Sequence, residues 1–353
     1  MIKALSTDSQ YSFEYDVALS FAGEDRKIAR ELADHIRAYR LRVYFDEYEG
    51  EDTVGKNLYT HFKEIYSKKS LYFIPIISQS YPQKSWTFRV ELPAAQERDF
   101  LSTEEYVLPL LLDDTEILGI EKTIGHIDLR KTPLDIAAKT IAKKVLKKHF
   151  TQPKGRKKSE RQIDHRVSRF KGELSLSDTI SLFCERMYNC TIGEIEYVAI
   201  SASRLLGDLQ FRATLEMFLE KMSARSRTVT FRFYILDIDS SSLQHFAIMS
   251  DESVESLKQK HEQSYTTLQS LITDKNRNIL RIRVYFYSGL PSLNLIQIDN
   301  EYLFRPYKIG VKQGHFNVFH LQGNEDSNDF VKVIRNIIAD LKFRSRQVDI
   351  NWF

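Results

Sequence analysis

Glu91 stands in the stretch SWTFRVEL (85–92), between the strand-like run LYFIPIIS (Leu71–Ser78) and the helical pattern of LPAAQERDF. A carboxylate at a strand-to-helix junction has two readings. It is a solvated first-turn acid favoured by the helix dipole, or the working group of a site at the carboxyl edge of a sheet. Little else in the chain competes for chemistry. The two cysteines, Cys184 and Cys190, lie close together with no second pair, which is neither a zinc ribbon nor a disulfide scaffold. No catalytic triad and no His/Cys metal cluster is visible. GEDR (23–26) is not a phosphate loop, and neither GxGxxG nor GxxxxGK[ST] occurs, which disfavours a Rossmann dehydrogenase or a P-loop nucleotidase.

The elements that must position Glu91 alternate between strand and helix. YDVALSF (Tyr15–Phe21) has the form of a buried parallel strand. The next segment sets Ile28, Leu32, Ile36 and Tyr39 at helical spacing. RVYFD (Arg42–Asp46) is a second strand, EYEGEDTVGKN a polar loop and LYTHFKEIYSKK an amphipathic helix. LYFIPIIS, YVLPLLLDD (Tyr106–Asp114) and IGHIDLR (Ile124–Arg130) supply three more strands. The closing helix opens with Thr132 as cap and Pro133 at its first position. Such βαβα alternation predicts a parallel sheet covered on both faces. A basic run, KGRKKSERQIDHR (Lys154–Arg166), reads as an exposed linker, and the α/β pattern restarts beyond it.

At 353 residues, 42% hydrophobic and 28% charged, the chain has enough apolar content for two cores. The formal charge of +3 is small for this size and its excess is local to the linker. No apolar run approaches the roughly 18 residues of a membrane span. With no signal peptide, a cytoplasmic location and no membrane partner are expected.

Residues 11–150 resemble a TIR (Toll/interleukin-1 receptor) domain of the bacterial type. YDVALSFAGEDR resembles the first motif of that family, and FDEYEGEDTVGK (Phe45–Lys56) its BB loop. ISQSYPQKSWTFRVEL resembles the motif that carries the acid, and YVLPLLLDDTEILG the strand and loop after it. The resemblance implies a flavodoxin-like fold with five parallel strands. Some members of the family are adaptors. Others break the bond between nicotinamide and ribose in NAD⁺, with a glutamate at the place of Glu91. Relative to the family motif one residue is inserted between Trp86 and Glu91, which leaves the role of Trp86 open.

The chemistry agrees with a single carboxylate. Nicotinamide leaves a cationic glycoside as a neutral base, so the leaving group needs no proton. The cost lies in positive charge developing on the ribose, which one carboxylate can stabilise or which it can help quench by positioning an incoming hydroxyl. No metal or cofactor is expected, and NAD⁺ is a consumed substrate. The groups around Glu91 each have two readings: Phe21, Ala22 and Gly23 present backbone amides or an aromatic face to the dinucleotide, or Phe21 is core; Asp46 meets a ribose hydroxyl or forms a turn; Trp86 stacks on a base or packs. Self-association through TIR domains is a further family implication.

Residues 151–174 are expected to be a basic linker and residues 175–353 a second α/β domain. Its cue is PSLNLIQIDNEYLFRPY, which resembles the phospholipase D-like fold in degenerate form. Asp299 fits the family aspartate, but Ser292 and Asn294 stand where histidine and lysine are required. The expectation is a sensor of a nucleotide, nucleic acid or protein. Arg281, Arg283, Arg305 and Lys308 are either phosphate-facing or simply solvated. The whole reads as an NAD⁺-cleaving effector of anti-phage immunity. The alternatives are a non-catalytic TIR adaptor and an active phosphodiesterase.

Overall fold

The computed structural model describes residues 13–45, 62, 64–82, 105–117, 125–151, 169–174, 176–250, 252–289, 293–299, 301–306, 316–322 and 329–348. The chain divides into two compact units, Met1–Lys154 and Gly155–Phe353. Asp46, Trp86, Glu91, Lys308, all of the BB loop after Phe45, the helix expected to carry Glu91 and most of the basic linker lie outside the described residues.

The first unit holds β1 (Tyr15–Ser20), β2 (Val43–Tyr44), β3 (Ser70–Ile77), β4 (Leu110–Leu111) and β5 (Ile127–Asp128). They form one sheet in the order β2-β1-β3-β4-β5, and every pairing is parallel. This is the expected flavodoxin-like order. All eight residues of β3 are buried, as a central strand covered on both faces requires. Helix α1 (Arg26–Arg37) turns Ala29, Leu32, Ala33 and Ile36 inward. It packs against α2 (Leu134–Thr151), whose Ala137, Ala138 and Ala142 are also fully buried. A second core is aromatic and gathers Tyr44, Tyr66, Phe73, Tyr81 and Tyr106.

Two expectations shift for identifiable reasons. The run Tyr106–Asp114 keeps only Leu110–Leu111 as strand, with a single bridge from Val107 to Phe73. That register sets Pro109 opposite Pro75, and two facing prolines remove ladder donors from the seam. At α2 the Pro133 carbonyl takes the first helical amide, from Ala137 at 2.9 Å, so Pro133 rather than Thr132 is the cap. The Thr132 amide instead turns back onto the Asp128 carbonyl at 2.9 Å.

The second unit is built on an eight-stranded sheet in the order β13-β9-β8-β7-β10-β11-β12-β6. Its strands are β6 (Arg169–Leu174), β7 (Glu194–Ala199), β8 (Val229–Leu236), β9 (Leu280–Tyr287), β10 (Leu293–Ile298), β11 (Glu301–Pro306), β12 (Phe316–Gln322) and β13 (Ser345–Val348). β7, β8 and β9 are mutually parallel, and all other pairings are antiparallel. Helices α3 (Leu176–Asn189), α4 (Ser203–Leu206), α5 (Leu209–Ser223), α6 (Ser241–Ser250), α7 (Val254–Leu271) and α8 (Asp329–Arg344) complete it. Phe183 of α3 and Phe211 of α5 stack 5.7 Å apart and meet Phe231 of β8 edge-on. Both cysteines are buried and neither is in a disulfide. Among the described residues no helix is long and apolar enough to cross a membrane.

Candidate active site

In a sheet of this order the chain leaves β1 toward β2 on one side, and β3 lies on the other. A crevice therefore opens at the carboxyl ends of β1 and β3. The residues just beyond those two strands line it. Asp25 lies in the single 3-10 turn Gly23–Asp25 that follows β1, closed by its own amide on the Ala22 carbonyl at 2.9 Å. Its Oδ2 accepts from the Ser78 hydroxyl at 2.5 Å, a bond from one wall of the crevice to the other. Beneath it the hydroxyls of Ser20 and Tyr81 are 2.8 Å apart, both buried. Tyr81 thereby pins the first turn of the segment that runs on to Glu91.

Phe21 is 8% exposed and lies in a layered arrangement. One neighbour is Phe45, its ring centroid 5.0 Å away and nearly parallel at 16°. The Arg26 guanidinium lies over the Phe21 ring at 5.4 Å from the centroid. A cation over a ring face is favourable. Ala22 is fully buried and Gly23 half-buried, so the turn offers backbone rather than side chain to a ligand. Of the sequence-derived site residues the structure thus places Phe21, Ala22 and Gly23 at the β1 wall, while Asp46, Trp86 and Glu91 lie outside the described residues.

The same edge is tied further along. Asp113 accepts from the amides of Gln79 at 2.8 Å and Thr115 at 2.9 Å, joining the ends of β3 and β4. Burial would raise the Asp113 carboxyl, but these hydrogen bonds and nearby Arg130 hold it below the usual carboxylate range. Arg130 bridges Asp114 and Asp128, each at 2.9 Å. Its hydrogen bonds to Asp128 lower that carboxyl's affinity for protons. Ser20, Asp25, Ser78 and Tyr81 were not singled out from sequence. The signal that finds them is topological: once β1 and β3 are neighbours, the residues following each must face one another.

In the second unit Asp299 has a structural position. It occupies the two-residue turn of the β10–β11 hairpin at φ +50. Its carboxylate accepts from the Thr191 amide at 3.0 Å and from Cys190 Sγ at 3.2 Å. Asn294 donates to the Val198 carbonyl at 3.0 Å. Arg281 and Arg283 are exposed, and Arg305 is half-buried. Among the described residues no group of three or more His, Cys, Asp and Glu is placed to hold a metal ion.

Comparison with known proteins now bears on the crevice. Residues 17–143 match the family model for the TIR domain. Over 146 residues the chain is also 42% identical to the 3' cyclic ADP-D-ribose synthase AaTIR of Aquimarina amphilecti. That match covers 41% of this chain and 44% of the relative, so the chain spans less than half of the relative it matches. A solved structure of TrmBL2, an archaeal chromatin protein, covers 54% of this chain and 57% of that chain at 9% identity. Its TM-score of 0.30 is too low to carry an argument. The phospholipase D-like resemblance of the second unit gains no support from these comparisons.

Proposed function

We propose that this chain breaks the nicotinamide–ribose bond of NAD⁺ at the β1/β3 crevice of its TIR segment. The observation that carries the reading is the 42% identity, over 146 residues of this chain, to a 3' cyclic ADP-D-ribose synthase. A cyclic ADP-ribose is the part of NAD⁺ that remains after nicotinamide departs, so making one from NAD⁺ requires this bond to break. The electron pair of the C–N bond leaves with nicotinamide, which becomes neutral. The ribose carbon becomes an oxocarbenium ion, stabilised by the Glu91 carboxylate. Water then attacks to give linear ADP-ribose, or a hydroxyl of the same molecule attacks to give a cyclic product; either releases one proton. Phe21, Ala22 and Gly23 line the substrate from the β1 side, and Asp46 and Trp86 contact ribose and base.

In the same proposal TIR segments assemble side by side and so complete the site, and the second unit is the sensor that sets this off in an anti-phage response inside the cytoplasm. The test is chromatography of NAD⁺ incubated with the full chain and with Glu91→Gln, which keeps the side-chain volume and removes the charge. Loss of a group that stabilises charge or moves a proton costs about 10²- to 10⁴-fold in rate. A Glu91→Gln protein as fast as the parent would overturn the assignment of the residue. A folded parent protein inactive at every concentration leaves two readings, the adaptor and an enzyme awaiting its trigger at the second unit.

A further inference from the structure

β8 ends at Leu236 in the parallel part of the second sheet, between β7 and β9. Open α/β sheets receive ligands outside the carboxyl ends of their strands. The connection that leaves β8 is a well-bonded turn. The Asp237 amide donates to the Tyr287 carbonyl at 2.9 Å. Asp237 Oδ1 accepts from the Asp239 amide at 3.1 Å, and the Asp237 carbonyl accepts from the Ser240 hydroxyl at 2.8 Å. The Asp237 carboxylate is also engaged by Arg346 at 3.1 Å, so its charge is matched. Beyond the turn come α6 and then α7, whose start is fixed by the Ser253 hydroxyl accepting from the Ser256 amide at 3.0 Å.

Residues of this turn, of α6 and of the start of α7 line a cavity of about 410 Å³. Small-molecule sites span roughly 300–1,000 Å³. The apolar lining is Ile238, Leu243 and Val254. Leu243 is 1% exposed and the other two pack against the same core cluster, so this wall is firm. The polar lining brings in both signs of charge. Asp239 comes from the turn after β8, and Lys258 from α7, one helical turn beyond Val254 and on the same face. Both are exposed. Among the described residues neither side chain is in an ion pair or a hydrogen bond, with the other or with a third group. Ser241 and Gln244, one turn apart on α6, add a hydroxyl and an amide.

Opposite charges that share a cavity without closing on each other leave room for a ligand that carries both. A simple anion placed there meets Asp239 as well as Lys258, and a simple cation meets Lys258 as well as Asp239. A zwitterion finds a partner at each end, and the apolar wall receives its body. We propose that this cavity binds a free α-amino acid with an aliphatic side chain. Lys258 holds the carboxylate and Asp239 the ammonium group, each by a charge-assisted hydrogen bond. Ser241 and Gln244 supply further hydrogen bonds, and Ile238, Leu243 and Val254 cover the side chain. The site belongs to the second unit alone, and binding there is independent of the TIR crevice and of NAD⁺ cleavage.

The experiment is a ligand-observed magnetic resonance titration of the full chain at neutral pH, where a free amino acid carries both charges. The probes are leucine, glycine, isocaproate (leucine without its amino group) and isopentylamine (leucine without its carboxylate). The same titrations are made on Lys258→Gln and Asp239→Asn. Both side chains are exposed, so neither substitution disturbs a core. Saturable binding of leucine, tighter than that of the other three probes, is expected. Each variant should weaken leucine about three- to tenfold, the loss of one charge-assisted contact at an exposed position. Lys258→Gln should not weaken isopentylamine, and Asp239→Asn should not weaken isocaproate, because neither probe carries the group that the lost charge would hold. No saturable binding of leucine overturns the proposal, and so does leucine binding that is unchanged in both variants. Glycine bound as tightly as leucine overturns the part given to the apolar wall. Isocaproate or isopentylamine bound as tightly as leucine overturns the requirement for both charges.

Discussion

Asp16 lies at the amino end of β1 with 2% of its surface exposed, where an isolated carboxylate would be costly to keep ionised. It is held by Arg42 through the backbone amide at 2.7 Å and the guanidinium at 2.8 Å, and by His149 Nε2 at 3.1 Å. Burial raises its pKa, but the bonds from His149 and Arg42 more than offset that, and the net direction is down. A carboxyl depressed in the folded state contributes stability that is full above its unfolded value of about 3.9 and is lost as pH falls through the folded value. Asp16→Asn should therefore cost about 2–3 kcal/mol at neutral pH, less than a fully buried pair because Arg42 is 40% exposed. The variant's loss should shrink toward acid pH, as denaturant melts from pH 7 down to pH 3 would show. His261 on α7 is the opposite case. It is fully buried, and neither ring nitrogen has a hydrogen-bond partner. Desolvation brings its pKa down to about 4 from 6.5, the charge of Asp237 opposing. The unfolded chain thus binds the extra proton between about pH 4 and 6.5, and stability should rise with pH across that window. His261→Leu removes two unsatisfied nitrogens, and should stabilise the protein by about 1–3 kcal/mol and flatten this window. A destabilised Leu variant would show that the ring packs in a way no aliphatic side chain replaces.

Elements carry the next scale of argument, and the β10–β11 hairpin is the clearest. A two-residue turn requires positive φ, which Asp and Asn tolerate and β-branched residues do not. Asp299 meets that demand and fastens the turn to Thr191 and Cys190 at once. Asp299→Asn should keep the conformation and most of the bonding, whereas Asp299→Ala should lose about 2 kcal/mol in chemical denaturation, from lost hydrogen bonds and a strained backbone. An alanine variant as stable as the parent would remove the structural role. From sequence Asp299 fits the aspartate of a degenerate phospholipase D-like motif, and its bonds to Thr191 and Cys190 were not legible there, because a motif reports order along the chain and not what lies across the turn. The five parallel strands were legible from alternating apolar runs, since β3 is buried throughout and α1 keeps its inward stripe. The lengths were less legible: Pro75 and Pro109 are 34 positions apart, and only the register shows that they meet. The crevice partners Asp25 and Ser78 stayed hidden for the same reason, being joined by strand order and not by spacing. β6 (Arg169–Leu174) lies in the stretch expected to be basic linker, because its pairing with β12 joins residues far apart in the chain that no local pattern connects.

On the scale of the whole molecule the proposed NAD⁺ cleavage raises the question of what would turn the site on. An enzyme that consumes a shared redox carrier must be nearly silent at rest, and two routes lead there. Either each copy carries a complete site that some other segment holds shut, or one copy alone is incomplete. The second route gives a distinctive rate law. If only an assembled state is competent and it forms by association, the competent fraction rises with total protein, so activity per molecule rises too. A complete site in each copy gives activity strictly proportional to concentration. NAD⁺ loss per molecule should therefore climb with protein concentration before it levels off, and Glu91→Gln added in excess to the parent protein should change the parent's rate instead of leaving it untouched. Progress curves at a series of concentrations, with and without the silent variant, would check both statements. Strict proportionality together with an inert variant would mean that each chain works alone, and the trigger would then have to be sought within a single copy.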